Sequence, residues 1–360
     1  MFFRTLFQAA SILPFLYATT SAQTACNNSP SLCNRAYNNI TYLGAHDSPF
    51  LRNENTSFST SGNQFYDSTA QLDSGVRLLS AQVHKINNTS GNEAWHLCHS
   101  SCDLLDAGTL QRWLGEIKTW MDKNPNDVVT VLLVNSDNAT PAELASSFQA
   151  SGIDQLAYTP PSTSTIPQTW PTLQSLISNN TRLMTFVASL PNPSSAFPYL
   201  MDEFTFIFEN DFNNNNPTDY SCNPNRPSSV RTPQQAASSG RMFLQNHFLY
   251  STQLFGIQSP NSSYVETTNG ETGLGSLGVA LNTCTGIYGK PANFVLVDFS
   301  NTGPAINSVD RANGIFGNVT GRKSLSSRPL DQTRTSGVAR AQGSILAAVV
   351  AVIAAVSFGL

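Results

Sequence analysis

The residues of this chain best suited to chemistry are two histidines, His46 and His99. Imidazole titrates near neutrality, so a pair can take a proton from one oxygen and deliver a proton to another. Each sits at the exit of an expected strand. His46 lies in Leu43-Gly44-Ala45-His46-Asp47-Ser48, after the apolar run 40–43, and His99 lies in Trp95-His96-Leu97-Cys98-His99-Ser100. The 360 residues include only five histidines, and 12% of the chain is charged, so two histidines in such settings carry weight. His96 falls on the opposite strand face from His99 by its odd spacing and reads as packing. His247, after Gln245 and Asn246, reads as structural.

Elements that could present these side chains follow from periodicity. Short apolar runs predict strands over residues 41–44, 76–83, 94–98, 128–135, 182–188, 204–209, 242–246 and 294–299. Helical spacing of Leu110, Trp113, Leu114, Ile117 and Met121 predicts a helix over 109–122, stopped by Asn124-Pro125-Asn126. Further helices are expected over 142–150, 172–178 and 306–313. Alternating strands and helices over some 310 residues predict a single-domain α/β fold, a (β/α)8 TIM barrel of regular or irregular build. A doubly wound open sheet is the alternative, but no glycine-rich phosphate loop follows the first strand. In a barrel the strand C-termini carry the site. His46, Asp47, Gln82, His99, Asn135, Glu209 and Asp298 all stand at or just past such ends. Residues 213–233, rich in Asn, Pro and Ser, read as a long surface loop.

The ends of the chain predict its destination. Residues 1–22 read as a secretory signal peptide, with Arg4 first, an apolar run too short to span a bilayer, and small residues before Gln23. The folded domain is expected over 23–321. A flexible stalk follows over 322–344, with a GPI attachment site at Ser336 or a neighbour. The apolar tail 345–360 is read as the removed part of that signal. A C-terminal membrane helix is the rival, but the tail is short for a span and no basic flank follows it.

N-glycosylation sequons stand at Asn39, Asn55, Asn87, Asn88, Asn138, Asn179, Asn261 and Asn318, and suit a secreted glycoprotein. One more, at Asn27, is expected to stay unused between Cys26 and Pro30. Six cysteines in an oxidising compartment predict disulfides. Close spacing suggests Cys26–Cys33 and Cys98–Cys102, leaving Cys222–Cys284, although sequence alone allows about fifteen pairings. A zinc site of Cys98, Cys102, His96 and His99 is the rival reading. Net charge is −4 and no basic stripe appears, which excludes nucleic acid as an expected partner.

Four patches carry a family resemblance. Gly44-Ala45-His46-Asp47-Ser48 resembles the opening motif of the phosphatidylinositol-specific phospholipase C X-domain superfamily, the PLC-like phosphodiesterases. Gly75-Val76-Arg77-Leu78-Leu79 followed by Leu97-Cys98-His99, then Lys123-Asn124-Pro125-Asn126-Asp127-Val128-Val129, is similar in order to the compact bacterial-type members. Residues 293–301 resemble the final-strand motif, and Cys98-His99-Ser100-Ser101-Cys102 looks like the fungal secreted type. The resemblance spans residues 40–301. It implies His46 as general base with Asp298 behind it, and His99 as general acid assisted by Asp47. It also implies attack of the inositol 2-hydroxyl on phosphorus to give a cyclic phosphodiester. No metal or other cofactor is implied. The expected partners are a phosphodiester or phosphoinositide headgroup and, through the anchor, a membrane, with the chain a monomer.

One departure stands out. Bacterial-type members carry Asp-x-Arg at the second strand end, where this chain has Ser80-Ala81-Gln82. Gln82 can donate hydrogen bonds to a phosphate but brings no charge, a loss of roughly 3 kcal/mol of transition-state stabilisation unless replaced. Ser80 and Gln82 also lack the anionic oxygens with which related metal-dependent phosphodiesterases hold a divalent ion. Asn135 and Glu209 are the further candidates for substrate binding. Two alternatives follow: a catalytically attenuated cell-surface barrel that binds a lipid headgroup or glycan, and a glycoside hydrolase using Glu209 and Asp298.

Overall fold

The computed structural model describes residues 25–87, 93–252, 258–317 and 319–327. The expected signal peptide, the Ser336 site, the apolar tail, and the Asn88 and Asn318 sequons lie outside them. Among the described residues twelve strands form: β1 (Tyr42–Ala45), β2 (Leu78–Asn87), β3 (Glu93–Cys98), β4 (Asp106–Thr109), β5 (Val129–Asn135), β6 (Leu183–Ala188), β7 (Met201–Asp202), β8 (Ile207–Glu209), β9 (Met242–Asn246), β10 (Tyr250–Thr252), β11 (Gln258–Pro260) and β12 (Phe294–Val297). The helices are α1 (Ser68–Asp73), α2 (Leu110–Lys123), α3 (Pro141–Ser151), α4 (Leu173–Ser178), α5 (Glu203–Phe206), α6 (Pro233–Ser238), α7 (Val265–Thr268), α8 (Leu277–Tyr288) and α9 (Ala305–Ala312).

Eight parallel strands run in the order β7-β6-β5-β2-β1-β12-β9-β8. The fold is therefore an irregular α/β TIM barrel: the sheet curls, and β7 and β8 remain its two edges. Alternation along each strand divides the core into two layers. Leu43, Ala45, Leu79, Val131, Leu133, Phe243, Val295 and Val297 pack under the helices. Tyr42, Leu78, Leu132, Phe186, Leu244, Phe294 and Leu296 fill the interior. Gly44 is a glycine because the interior is full: a Cβ there would stand 2.8 Å from Leu296 and 2.9 Å from Leu78. Tyr37, with Trp170, Tyr42 and Phe294 around its ring, closes the floor.

Two expectations are corrected. Residues 94–98 are not a barrel strand. They form β3, which pairs antiparallel with the extension of β2 and with β4, and so carry His99 in on a side arm. The eighth barrel strand is instead the two-residue β7. Residues 204–206 are helical rather than extended, because the Asp202 carboxylate caps α5 by accepting from the Thr205 N–H, leaving only 207–209 as strand. All three expected disulfides, Cys26–Cys33, Cys98–Cys102 and Cys222–Cys284, are formed. The zinc reading lapses, because both of its cysteines are consumed.

Candidate active site

Register brings the first pieces of the site together. Ala45 pairs with Val297 and with Leu79, so the next residues, His46, Asp298 and Ser80, stand level at the mouth. All three have the parity of the barrel interior. His46 Nδ1 lies 2.9 Å from Asp298 Oδ1. Asn63 Nδ2 donates to the same carboxylate oxygen at 2.9 Å. Gln64 ties the two strand ends together, donating to the carbonyls of His46 (2.8 Å) and Val297 (3.1 Å) and accepting from the Ser300 N–H (3.0 Å). Phe248 lies flat against the imidazole of His46, ring centroids 3.7 Å apart.

Asp47 breaks the strand alternation. Its φ of 48° is left-handed, a conformation Asp tolerates better than most residues, and it turns a second carboxylate toward the histidines. Its N–H donates to Ser80 Oγ at 2.9 Å. Asp47 Oδ2 then lies 3.6 Å from His46 Nε2 and 3.6 Å from His99 Nε2. One buried carboxylate thus serves two imidazoles, at ion-pair rather than hydrogen-bond distance.

His99 arrives on the β3–β4 arm. Its loop is short-circuited by Cys98–Cys102, its N–H donates to the Leu105 carbonyl at 3.0 Å, and its ring meets Phe50 edge-on. Gln82 completes the link. Its Nε2 donates to Asp47 Oδ2 at 2.7 Å and its Oε1 accepts from the Ser100 N–H at 2.9 Å. One N–H and the oxygen of the carboxamide therefore hold the His99 loop against Asp47.

Surroundings pull the two histidines apart. Burial is the largest influence on His46 and lowers its pKa, but Asp47 and Asp298 together outweigh it, so the pKa is raised. For His99 burial wins: Asp47 opposes it, a charge on His46 reinforces it, and the pKa is lowered.

The other candidates sort by strand parity. Glu209 and Asn246 face the interior. Glu209 is 2% exposed; its Oε1 lies 2.8 Å from Arg226 Nη2, and its Oε2 accepts from Asn246 Nδ2 at 2.6 Å. Arg226 comes from the long loop 213–233, bridges antiparallel to Glu209 along the free edge of β8, and stacks over Phe212. Asn135 has the opposite parity. Its amide closes the turn after β5, donating to the carbonyls of Ala139 (3.0 Å) and Ser189 (3.2 Å) and accepting from the Ala139 N–H (2.7 Å). That position is a turn, not the mouth. His96 pairs with exposed Asp106 at 3.0 Å. His247 is fully buried, bonds the Thr268 carbonyl through Nε2, and has its pKa pushed down to about 4 by burial. Among the described residues, no cluster of three or more His, Cys, Asp or Glu side chains could hold a metal ion.

Asn63, Gln64, Phe248, Asn246 and Arg226 were not legible as site residues. None lies in a motif, and each reaches the mouth through a loop or through register alone.

The curled α/β barrel and its β3–β4 arm thus gather two imidazoles and two carboxylates at one mouth. The chain belongs to the PI-PLC X family, whose model, PI-PLC X 1, matches residues 32–313. Two proteins of Arthroderma benhamiae are similar. A PI-PLC X domain-containing protein 1 is 36% identical over 297 residues, 82% of this chain and 92% of that protein. An uncharacterized secreted protein is 36% identical over 325 residues, 89% of this chain and 70% of that protein. Among solved structures, a mutant phosphatidylinositol-specific phospholipase C from Staphylococcus aureus superposes with a TM-score of 0.51 at 11% identity, covering 80% of this chain and 99% of that one. The enzyme of the same name from Listeria monocytogenes gives 0.50 at 16% identity, with the same coverage. At such identity these two establish the shared fold.

Proposed function

We propose that this chain is a metal-independent phosphoric diester hydrolase of the phosphatidylinositol phospholipase C type. The observation that carries the reading is the shared carboxylate: Asp47 Oδ2 is 3.6 Å from Nε2 of both His46 and His99, with Asp298 on the far nitrogen of His46. His46 Nε2 takes the proton of a substrate hydroxyl, the inositol 2-hydroxyl in the family's chemistry, as its oxygen attacks phosphorus. The phosphorus–oxygen bond to the leaving alcohol breaks, and protonated His99 gives that oxygen its proton. A cyclic phosphodiester results. Water can open it with the two histidines in exchanged roles. Asp298 fixes the tautomer of His46 and stabilises its charged form.

The experiment is phosphorus NMR of the secreted protein with phosphatidylinositol and with glycerophosphoinositol, chelator present. A cyclic inositol phosphate is the expected product. Chelator-sensitive turnover would overturn metal independence. No product from either diester, with the protein folded and its disulfides intact, would overturn the enzyme reading.

A second reading, an attenuated barrel that binds a headgroup or glycan, is favoured by one observation: the position of the family's phosphate-binding cation holds Gln82, and its amide is committed to Asp47 and Ser100. The two readings separate at Gln82→Arg. An arginine can donate to Asp47 but cannot accept from the Ser100 N–H. In the enzyme reading the His99 loop loosens and kcat falls roughly tenfold, the worth of about one hydrogen bond. A rise in kcat would mean that a missing cation, not a lost clamp, governs this site. The glycosidase alternative has less support, since Glu209 and Asp298 are each held by other side chains.

The proposed setting is the cell surface, through a signal peptide and a GPI anchor at Ser336 or a neighbour. A relative named as secreted and three disulfides support the secretory part. Asn39, Asn55, Asn138 and Asn179 are exposed, whereas Asn27 is 6% exposed and its Oδ1 accepts from the Val128 N–H. Peptide mapping of the secreted protein is expected to find glycans at the four exposed sequons and an unmodified Asn27. A glycan on Asn27 would contradict this packing.

A further inference from the structure

After α9 the chain is back at the floor of the barrel, the end where the strands begin. Asn313 Oδ1 accepts from the Thr41 N–H at 2.9 Å and its Nδ2 donates to the Thr41 carbonyl at 2.7 Å, just ahead of β1. Thr320 is held at the same end. Its N–H donates to the Asn28 carbonyl at 2.9 Å, and Asn28 Nδ2 donates back to the Thr320 carbonyl at 2.9 Å. Asn28 belongs to the floor because its Oδ1 accepts from Arg77, the residue before β2.

From there residues 321–327 run back up the barrel as a strap between α1 and α9. Arg322 pairs with Asp310 of α9 through both terminal nitrogens, at 2.7 and 3.0 Å. Lys323 Nζ donates to the carboxylate of Asp73, the last residue of α1, at 2.7 Å, and its N–H donates to the Asp73 carbonyl at 2.8 Å. Arg322 and Leu325 are half-buried, whereas the strap residues around them are exposed. The strap ends at the mouth. The Ser326 carbonyl accepts from Asn301 Nδ2 at 2.8 Å, and the Ser327 carbonyl from Thr302 Oγ1 at 3.4 Å. Asn301 and Thr302 stand in the loop that follows Asp298 after β12. The described chain thus ends beside the candidate site, although Thr320 had brought it to the opposite end.

Distance turns this exit into an orientation. The nine residues 328–336 span at most ~30 Å in any conformation. A compact body of the size of residues 25–327 has a radius of gyration of about 19 Å and is on the order of 50 Å across. An anchor at Ser336 therefore reaches a bilayer that faces the mouth with length to spare. To set the floor on the bilayer, the stalk and the anchor's glycan would both have to stretch around the body, at a large cost in conformational entropy. We propose that the strap turns the mouth of the barrel toward the bilayer that carries the chain's own anchor. The partner of this face is a lipid surface, and the histidine site meets the ligands which that surface presents. This rests on the anchor reading above and not on the catalytic one.

The experiment is energy transfer from the natively processed protein, inserted by its anchor into phosphatidylcholine vesicles, to an acceptor dye on the lipid headgroups. A donor dye sits at Leu274→Cys, exposed in the mouth loop before α8, or at Lys123→Cys, exposed at the floor end of α2. Transfer from the mouth dye is expected to exceed that from the floor dye roughly threefold, since most of the body's ~50 Å separates the two. A Gly/Ser spacer of about 30 residues after Ser327 removes the bound on reach and is expected to bring the two dyes near equality. Deleting 322–327 returns the exit to Thr320 and is expected to invert their order. The spacer lies outside the folded body, so it decides the matter even where the deletion variant fails to fold. Equal transfer from both dyes in the anchored wild type, or an order that survives the spacer, overturns the proposal and leaves the anchor reading standing. A natively processed protein that does not insert into the vesicles removes the anchor reading, and this inference with it.

Discussion

His99→Ala is expected to lose about 10²–10⁴-fold in turnover of an alkyl phosphodiester and far less on an aryl phosphodiester with an acidic leaving group. The asymmetry follows from the assigned roles. A general acid matters in proportion to the basicity of the departing oxygen, and a phenolate with electron-withdrawing substituents leaves without a proton. His46→Ala, which removes the base, is expected to lose the same 10²–10⁴-fold on both substrates, because the attacking hydroxyl is unchanged. Steady-state rates for the two variants on the two substrates provide the check. Equal losses for His99→Ala on both would remove His99 from the acid role, and a variant of either histidine retaining a tenth of wild-type turnover on the alkyl diester would sink the pair. Charge order adds a second signature. With the pKa of His46 raised and that of His99 lowered, the free protein between those two values holds its proton on His46. The productive state needs the reverse distribution, so it is the minor form, and the profile of kcat/KM against pH is a bell whose limbs belong to the pair. Asp47 raises both pKa values. Asp47→Asn is therefore expected to move both limbs to lower pH.

Much of this site was written locally in the chain. Tyr42-Leu43-Gly44-Ala45 is a buried strand, and the histidine that follows it at interior parity reaches the mouth. The same logic placed Asp298 after β12. Parity also explains where the sequence reading failed. Asn135 ends a strand as convincingly as Glu209 does, but it is one residue out of phase with the interior, so its amide serves the turn. The side arm hid the topology: residues 94–98 form a true strand, yet only their antiparallel pairing with β2 shows that they lie outside the barrel. Gln82 was legible as a missing cation but not as a clamp, because its two partners, Asp47 and Ser100, come together only when β1, β2 and the arm assemble. Arg226 was hidden for the same reason at longer range, in a loop whose composition gave no sign that one residue turns back along the free edge of β8.

That residue governs the largest expected change in stability. Arg226→Ala is expected to destabilise the fold by about 2–3 kcal/mol at neutral pH. Removing one partner of a fully buried ion pair costs roughly 3–5 kcal/mol. The figure is reduced here because the Arg226 side chain is 38% exposed while that of Glu209 is 3% exposed. Burial already raises the pKa of Glu209, with Arg226 the main opposing influence, and the neighbouring buried Glu203 is raised well above the ordinary carboxylate range for the same reason. Without the guanidinium both carboxyls rise further. A carboxyl whose pKa is higher folded than unfolded binds more protons in the native state, so stability falls as pH rises from the unfolded value, about 4.3 for Glu, through the folded one. The penalty is thus expected to be small near pH 4 and to grow toward neutrality, and urea midpoints of wild type and variant across that range measure it. A penalty constant with pH would mean that the lost contribution is the packing of Arg226 over Phe212 rather than its charge. In that case Arg226→Met, which keeps the stem, would restore most of it, whereas the ion-pair account predicts that Met fails at neutral pH and nearly matches wild type in acid.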